Sequence, residues 1–204
     1  MVRQACDDRR IESMALLAEV KKDYGRLKNF VNGEWIDSNS SKALDIENPA
    51  TGASIGQFKK KTADEMKAAI EAAHEAWWAW RETPPITRAR LMFRLKEIME
   101  QHFEEIARVM VQEQGKTIDE ARGETRRTIE NVEVAAGIPS LMMGYNLEDG
   151  AASGIDEDAV ISPLGVFGAI CPFNFPAMIP FWFWPYAVAT GNTYIIKSSK
   201  QVPL

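Results

Sequence analysis

The stretch from Gly165 to Lys197, GVFGAICPFNFPAMIPFWFWPYAVATGNTYIIK, carries no charge before its last residue. Three of its side chains could do chemistry. Cys171 offers a thiol, although a cysteine beside a proline in an apolar run is usually inert packing. Asn174 offers an amide in a loop restricted by Pro172 and Pro176, with Phe173 and Phe175 free to pack to either side. That amide could donate a hydrogen bond to a ligand oxygen, or merely satisfy the backbone of its own turn. Lys197 follows Tyr-Ile-Ile, so its charge must reach solvent or a ligand. Upstream, Arg127 carries a guanidinium fork that could clamp a carboxylate, or could pair on a helix surface with Glu124 or Glu130.

These residues need elements to hold them. The apolar run is long enough for a bilayer span of about 20 residues. However, Pro163, Pro172, Pro176, Pro180 and Pro185 interrupt it, and each broken backbone hydrogen bond is costly in hydrocarbon. No basic residues flank its start. It divides better into a buried strand over Leu164–Ile170, a turn over Cys171–Pro176, an apolar helix over Ala177–Thr190 and a second buried strand over Thr193–Ile196. Gly191 stands where a helix C′ residue belongs. This is the β-turn-α-β unit of a parallel sheet. An amide at the C-terminal end of its first strand would sit where open α/β sheets bind ligands.

Farther upstream, Asn32-Gly33 predicts a type I′ hairpin over Asn29–Asp37. Ile46–Gly52 (IENPATG) reads as a turn, followed by a strand over Ala53–Phe58. Thr62 and Glu65 form a capping box ahead of a helix whose Met66, Ile70, Ala73, Trp77 and Trp80 share one core-packing face. After the Thr83–Thr87 break, a second helix uses Leu91, Leu95 and Ile98. Phe103, Ile106 and Met110 continue the spacing beyond a bend. A third helix is expected over about Thr117–Met143, with Glu120, Glu124, Arg127 and Glu130 solvated. Gly144–Gly154 reads as an acidic, Gly-rich loop leading into an exposed ribbon near Ala159–Ser162.

The totals exclude several classes. A net charge of −5 argues against a nucleic-acid partner, which needs clustered Lys and Arg. Two cysteines, Cys6 and Cys171, make no disulfide framework and fit a reducing, cytoplasmic setting. His74 and His102 stand among helix formers and charges, which is a surface pattern rather than a metal site. Met1–Arg10 has charges of both signs and no apolar core, so no signal peptide is expected.

Four segments together resemble the aldehyde dehydrogenase superfamily: NPATG (Asn48–Gly52), EQGK (Glu113–Lys116), PLGVFGAICPFNFP (Pro163–Pro176) and GNTYIIK (Gly191–Lys197). They occur in the family's order. Within it, Ala135–Gly144 and the Pro172–Thr193 run look most like the CoA-acylating branch that acts on methylmalonate semialdehyde. The resemblance covers about Leu27 to Leu204 and implies the N-terminal portion of a family member.

The implied fold is α/β, a Rossmann-like parallel sheet start with a helical layer and a β-ribbon oligomerisation segment. Its expected parts are an arm over 1–27, a hairpin and helical layer over 28–144, the ribbon over 145–163 and the first β-α-β of the dinucleotide-binding sheet over 164–204. The resemblance assigns Asn174 as the side-chain donor to the oxyanion formed when a thiolate attacks an aldehyde. It places the nucleophile downstream of this chain and makes Cys171 a lining residue, with Phe173, of the nicotinamide site. It gives Lys197 to the adenosine ribose and Arg127 to the substrate carboxylate, and the roles of Glu113 and Lys116 are read as structural. Where the family usually reads Lys-Pro-Ser-Glu-Arg, this chain reads Lys-Ser-Ser-Lys-Gln (Lys197–Gln201). Lys200 cannot accept from ribose hydroxyls, and a cation there could meet a 2′-phosphate. The cofactor expectation is therefore NAD, with NADP open at Lys200 and Gln201.

The implied activity is NAD(P)-dependent oxidation of a malonate or methylmalonate semialdehyde, through a cysteine thioester, to acetyl-CoA or propionyl-CoA. CoA is the co-substrate, and the complete protein is expected to be a homodimer or homotetramer. Two alternatives stand beside it. One is a hydrolytic aldehyde dehydrogenase, distinguished by a downstream glutamate base. The other is a half-enzyme without catalysis, binding a partner or nothing. The chain alone is expected to be inactive, because it lacks the nucleophile.

Overall fold

In the computed structural model, residues 18–204 are described. The first 17 residues, with Cys6 and most of the expected arm, lie outside them. The remainder of that arm is docked. Tyr24 N donates to Ile55 O at 2.7 Å, and the Tyr24 hydroxyl donates to Gln112 Oε1 at 2.9 Å. Gln112 Nε2 in turn donates to Lys21 O at 2.7 Å.

Five strands open the described residues. β1 (Arg26–Leu27) is followed by the hairpin of β2 (Asn29–Val31) and β3 (Glu34–Ile36), and then by β4 (Ala43–Glu47) and β5 (Ser54–Lys59). β5 pairs with β1 in parallel and with β4 antiparallel. Asn32 at φ 51° and Gly33 at φ 82° are both left-handed, as a type I′ turn requires. The expected turn at Ile46–Gly52 is shorter than read: β4 runs through Glu47, and only Asn48–Gly52 turns.

Helix α1 (Ala63–Arg81) begins at the Thr62–Glu65 capping box. Helix α2 (Pro85–Gln101) begins just after the Thr83–Pro84 break. Its inward face is rotated from the expected one. Arg88, Met92 and Met99 are buried, whereas Leu91 and Ile98 are exposed. Both stripes have helical spacing, so only the packing partner chooses between them. α3 (Phe103–Gln114) follows the bend at His102 and stops at Gly115, φ 85°. A Cβ on Gly115 would lie 2.7 Å from Pro49 Cγ. The NPATG and EQGK segments therefore meet backbone to side chain.

Helix α4 (Ile118–Ala136) has a second capping box, Thr117–Glu120. The expected continuation to Met143 is cut at Gly137, after which a single turn, α5 (Ile138–Leu141), remains. The buried stripe of α4 includes Ala121, Glu124, Thr125, Thr128, Ile129 and Val132. Ile129, Val132, Met92 and Met99 pack with Ala189 in the main apolar core. Each fully buried branched side chain there contributes roughly 1.5–3 kcal/mol.

β6 (Tyr145–Leu147) pairs antiparallel with β7 (Glu157–Ala159). The ribbon thus begins inside the stretch expected to be a loop, and it ends earlier than expected. β8 (Val166–Ile170), α6 (Met178–Ala189) and β9 (Thr193–Lys197) follow as the expected β-α-β unit, with β8 parallel to β9 from Val166↔Thr193 to Ile170↔Lys197. Two devices set that register. Gly191 at φ 96° leaves no room for a Cβ, which would meet Pro163 Cγ at 2.7 Å. Asn192 Oδ1 accepts from Leu164 N at 2.7 Å and Gly165 N at 2.9 Å.

α1 packs on both strands and α6 on β9. Thr193 Oγ1 donates to Ala73 O at 2.8 Å, fixing β9 to α1. The two strands are less buried than expected, with Ile170 86% exposed. Two strands and two helices do not cover both faces of a sheet. No helix among the described residues is long and apolar enough to cross a membrane.

Candidate active site

The turn after β8 carries Asn174 to the wall of a cleft of about 640 Å³. Gln114, Lys116, Glu124, Arg127, Phe175 and Met178 share that wall. Asn174 is exposed, and its side-chain amide is hydrogen-bonded to none of the described residues. Its backbone is held instead: Lys116 Nζ donates to Asn174 O at 3.1 Å.

Lys116 is held in turn. Its ammonium pairs with Glu124 Oε2 and lies 4.7 Å from the Phe175 ring centroid. Glu124 Oε1 accepts from both Ala177 N and Met178 N at 3.0 Å. α6 has no side-chain N-cap of its own, so a carboxylate from α4 satisfies its first amides. A negative charge at that end also suits the helix dipole. Glu124 was expected to be solvated, but its side chain is 1% exposed. The available signal was position: Glu124 lies on the stripe of Ala121, Thr128 and Ile129, where a charge must find partners.

Arg127 is exposed and faces the cleft, and it makes no ion pair among the described residues. Of its two suggested helix-surface partners, Glu124 is engaged by Lys116 instead. Gln114 Oε1 is buried without a partner among the described residues, an acceptor in the same cleft wall.

The cofactor candidates lie apart from this set, at the C-terminal edge of the sheet. Cys171 N donates to Lys197 O at 3.0 Å, so the two residues close the ladder. Cys171 is buried, and burial pushes its thiol up, with Lys197 opposing. A thiol held protonated is a poor nucleophile. Phe173, Lys197, Lys200 and Gln201 are exposed around that edge. Open α/β sheets take their ligands outside the carboxyl ends of parallel strands, and the exposed Lys197 stands at that end of β9.

The chain belongs to the aldehyde dehydrogenase family, whose sequence profile matches residues 35–204. Malonate-semialdehyde dehydrogenase 2 of Oceanobacillus iheyensis is 46% identical over 178 residues, which are 87% of this chain and 36% of that protein. The crystal structure of methylmalonate-semialdehyde dehydrogenase from Oceanimonas doudoroffii superposes with a TM-score of 0.84 at 40% identity, covering 88% of this chain and 36% of that one. A candidate methylmalonate-semialdehyde dehydrogenase from Sinorhizobium meliloti 1021, solved with NAD, superposes at 0.83 with 36% identity, covering 87% of this chain and 36% of that one. The chain therefore spans little more than a third of the length of these relatives.

Proposed function

We propose that the full-length protein carrying this chain is a CoA-acylating dehydrogenase of malonate or methylmalonate semialdehyde. The observation that supports this most directly is that Asn174 and Arg127 line one cleft. A semialdehyde has an aldehyde at one end and a carboxylate at the other, so it needs an oxyanion donor and a carboxylate fork within one molecule's length. The names of the similar proteins agree with that substrate class.

In this reading a thiolate from outside these residues forms a C–S bond with the aldehyde carbon, and the carbonyl electron pair moves to oxygen. The Asn174 amide donates to that oxygen as its charge develops, when the bond is worth most. Arg127 holds the far carboxylate by two parallel bonds and so fixes the aldehyde's approach. NAD or NADP, when bound, supplies the hydride acceptor. Lys197 would hold its adenosine ribose, the Cys171 and Phe173 backbone would line its nicotinamide half, and Lys200 and Gln201 would face the ribose 2′ position. Collapse of the oxyanion with loss of hydride leaves a thioester, the substrate carboxylate departs as CO2, and CoA displaces the protein thiolate, giving acetyl-CoA or, for the methylmalonate substrate, propionyl-CoA. Thiol chemistry of this kind suits a reducing cytoplasm. The exposed β6–β7 ribbon, with Tyr145 and Val160 at its surface, is the proposed contact for a homodimer or homotetramer.

The test is to assay the purified full-length protein with each semialdehyde, CoA, and NAD or NADP. Acyl-CoA as product, with turnover dependent on CoA, is expected. Release of the free acid at an undiminished rate without CoA would contradict the proposal in favour of a hydrolytic enzyme.

A further inference from the structure

We infer that Lys116 and Glu124 act as a positioning pair that holds the Asn174 amide in place for turnover; this rests on the oxyanion role proposed above for Asn174. The starting observation is the burial of an ion pair beside an exposed loop. Desolvating a carboxylate costs several kcal/mol unless its lone pairs are used. Glu124 uses both oxygens: Oε1 takes the amides of Ala177 and Met178, and Oε2 takes the Lys116 ammonium. Lys116 spends a further proton on the Asn174 carbonyl.

One carboxylate thereby grips the 174–178 segment at both ends, directly at the first turn of α6 and through Lys116 at Asn174. Little else does so from outside the segment. Pro172, Phe173, Asn174 and Phe175 are all exposed, and prolines at 172 and 176 withhold two backbone donors. Holding the Asn174 carbonyl restricts rotation about the adjoining Cα–C bond and so narrows the directions open to the side chain. A loop set this way can place an amide to within the few tenths of an ångström that oxyanion donation demands.

The experiment is a double-mutant cycle in the full-length protein with Lys116→Met and Asn174→Ala. Methionine keeps the aliphatic stem and removes the tether. Lys116→Met is expected to lower kcat about 10–100-fold, with the KM for semialdehyde changing less than about threefold. In the Asn174→Ala background the same substitution is expected to cost less than about twofold, because the amide it positions is gone. Equal losses in both backgrounds would overturn the inference, since a purely structural pair gives additive effects. Amide hydrogen exchange on the substrate-free protein provides a readout independent of turnover. Lys116→Met and Glu124→Gln are each expected to speed exchange across Phe173–Ile179 about fivefold or more. Unchanged exchange in both variants would overturn the inference. Absence of semialdehyde turnover in the unmutated protein would instead sink the proposed function, leaving the exchange result to decide whether the pair holds the segment.

Discussion

Arg126 and Arg127, neighbours on α4, have opposite occupations. Arg126 makes a two-pronged pair with Glu100, at 2.7 and 3.0 Å, and lies 5.0 Å from the Phe103 ring centroid. Arg127 turns to the cleft that Asn174 also lines. Of these two adjacent arginines, Arg127 lines the cleft and Arg126 is committed to Glu100.

This difference predicts a split in kinetics. In the full-length protein, Arg127→Ala should raise the KM for a semialdehyde about 10–100-fold, the worth of a charge-assisted fork. Turnover of an uncharged aldehyde of the same length should change little. Arg126→Ala should leave both KM values near those of the unmutated protein. Steady-state kinetics with the paired substrates checks this.

Cys171 should be chemically quiet. Its thiol is buried and its pKa is raised by that burial. Cys171→Ala is expected to retain most of kcat in the full-length protein. Peptide mapping after brief iodoacetamide treatment at pH 8 should find Cys171 unmodified until denaturant is added. Rapid native labelling together with loss of activity in Cys171→Ala would reassign it as a nucleophile.

Much of the fold is legible locally, and the reasons are specific. Asn32-Gly33, the Thr62–Glu65 box and Gly191 each satisfy backbone demands within a few residues, so short windows suffice to read them. The β8–α6–β9 unit is legible because its apolar runs are cut by residues that can only be turns. Illegible features depend on distant partners. Leu91 and Met92 are equally good apolar anchors until α4 and α6 are in place. Tyr145–Leu147 becomes a strand only because Glu157–Ala159 returns beside it. The burial of Glu124 depends on Lys116 and on the start of α6, more than fifty residues away. Of the candidate site, the residue types were readable, whereas the scaffold holding Asn174 was not.

Arg88 should be a stability residue. It is 1% exposed. Its Nε donates to Ala189 O at 2.8 Å, and its Nη1 also bonds Thr83 O. The guanidinium thus caps the C-terminal end of α6 and ties it to the α1–α2 turn. Arg88→Met keeps much of the volume but orphans these buried carbonyls, at a cost of about 2–3 kcal/mol. A lower urea midpoint with an unchanged slope is the expected result.

Glu113 makes stability depend on pH. Its carboxyl is buried and is pushed up from 4.5 to about 7, chiefly by desolvation, with the bond from Leu204 N opposing. The folded state therefore holds its proton over a range where the unfolded state has lost it. The stability this proton confers is complete below about pH 4.5 and is lost as pH rises through about 7. Glu113→Gln does not titrate, so the variant should gain on the unmutated protein between pH 5 and pH 8, by an amount on the order of 3 kcal/mol. Denaturant midpoints of both proteins at the two pH values test the sign.

The most direct test of the whole account is the turnover number of Asn174→Ala in the full-length protein, measured with saturating semialdehyde, cofactor and CoA. Loss of one oxyanion donor predicts a kcat lower by about 10²–10³-fold, with KM changed only slightly. A kcat within about twofold of the unmutated protein would show that this amide does not meet the reacting oxygen.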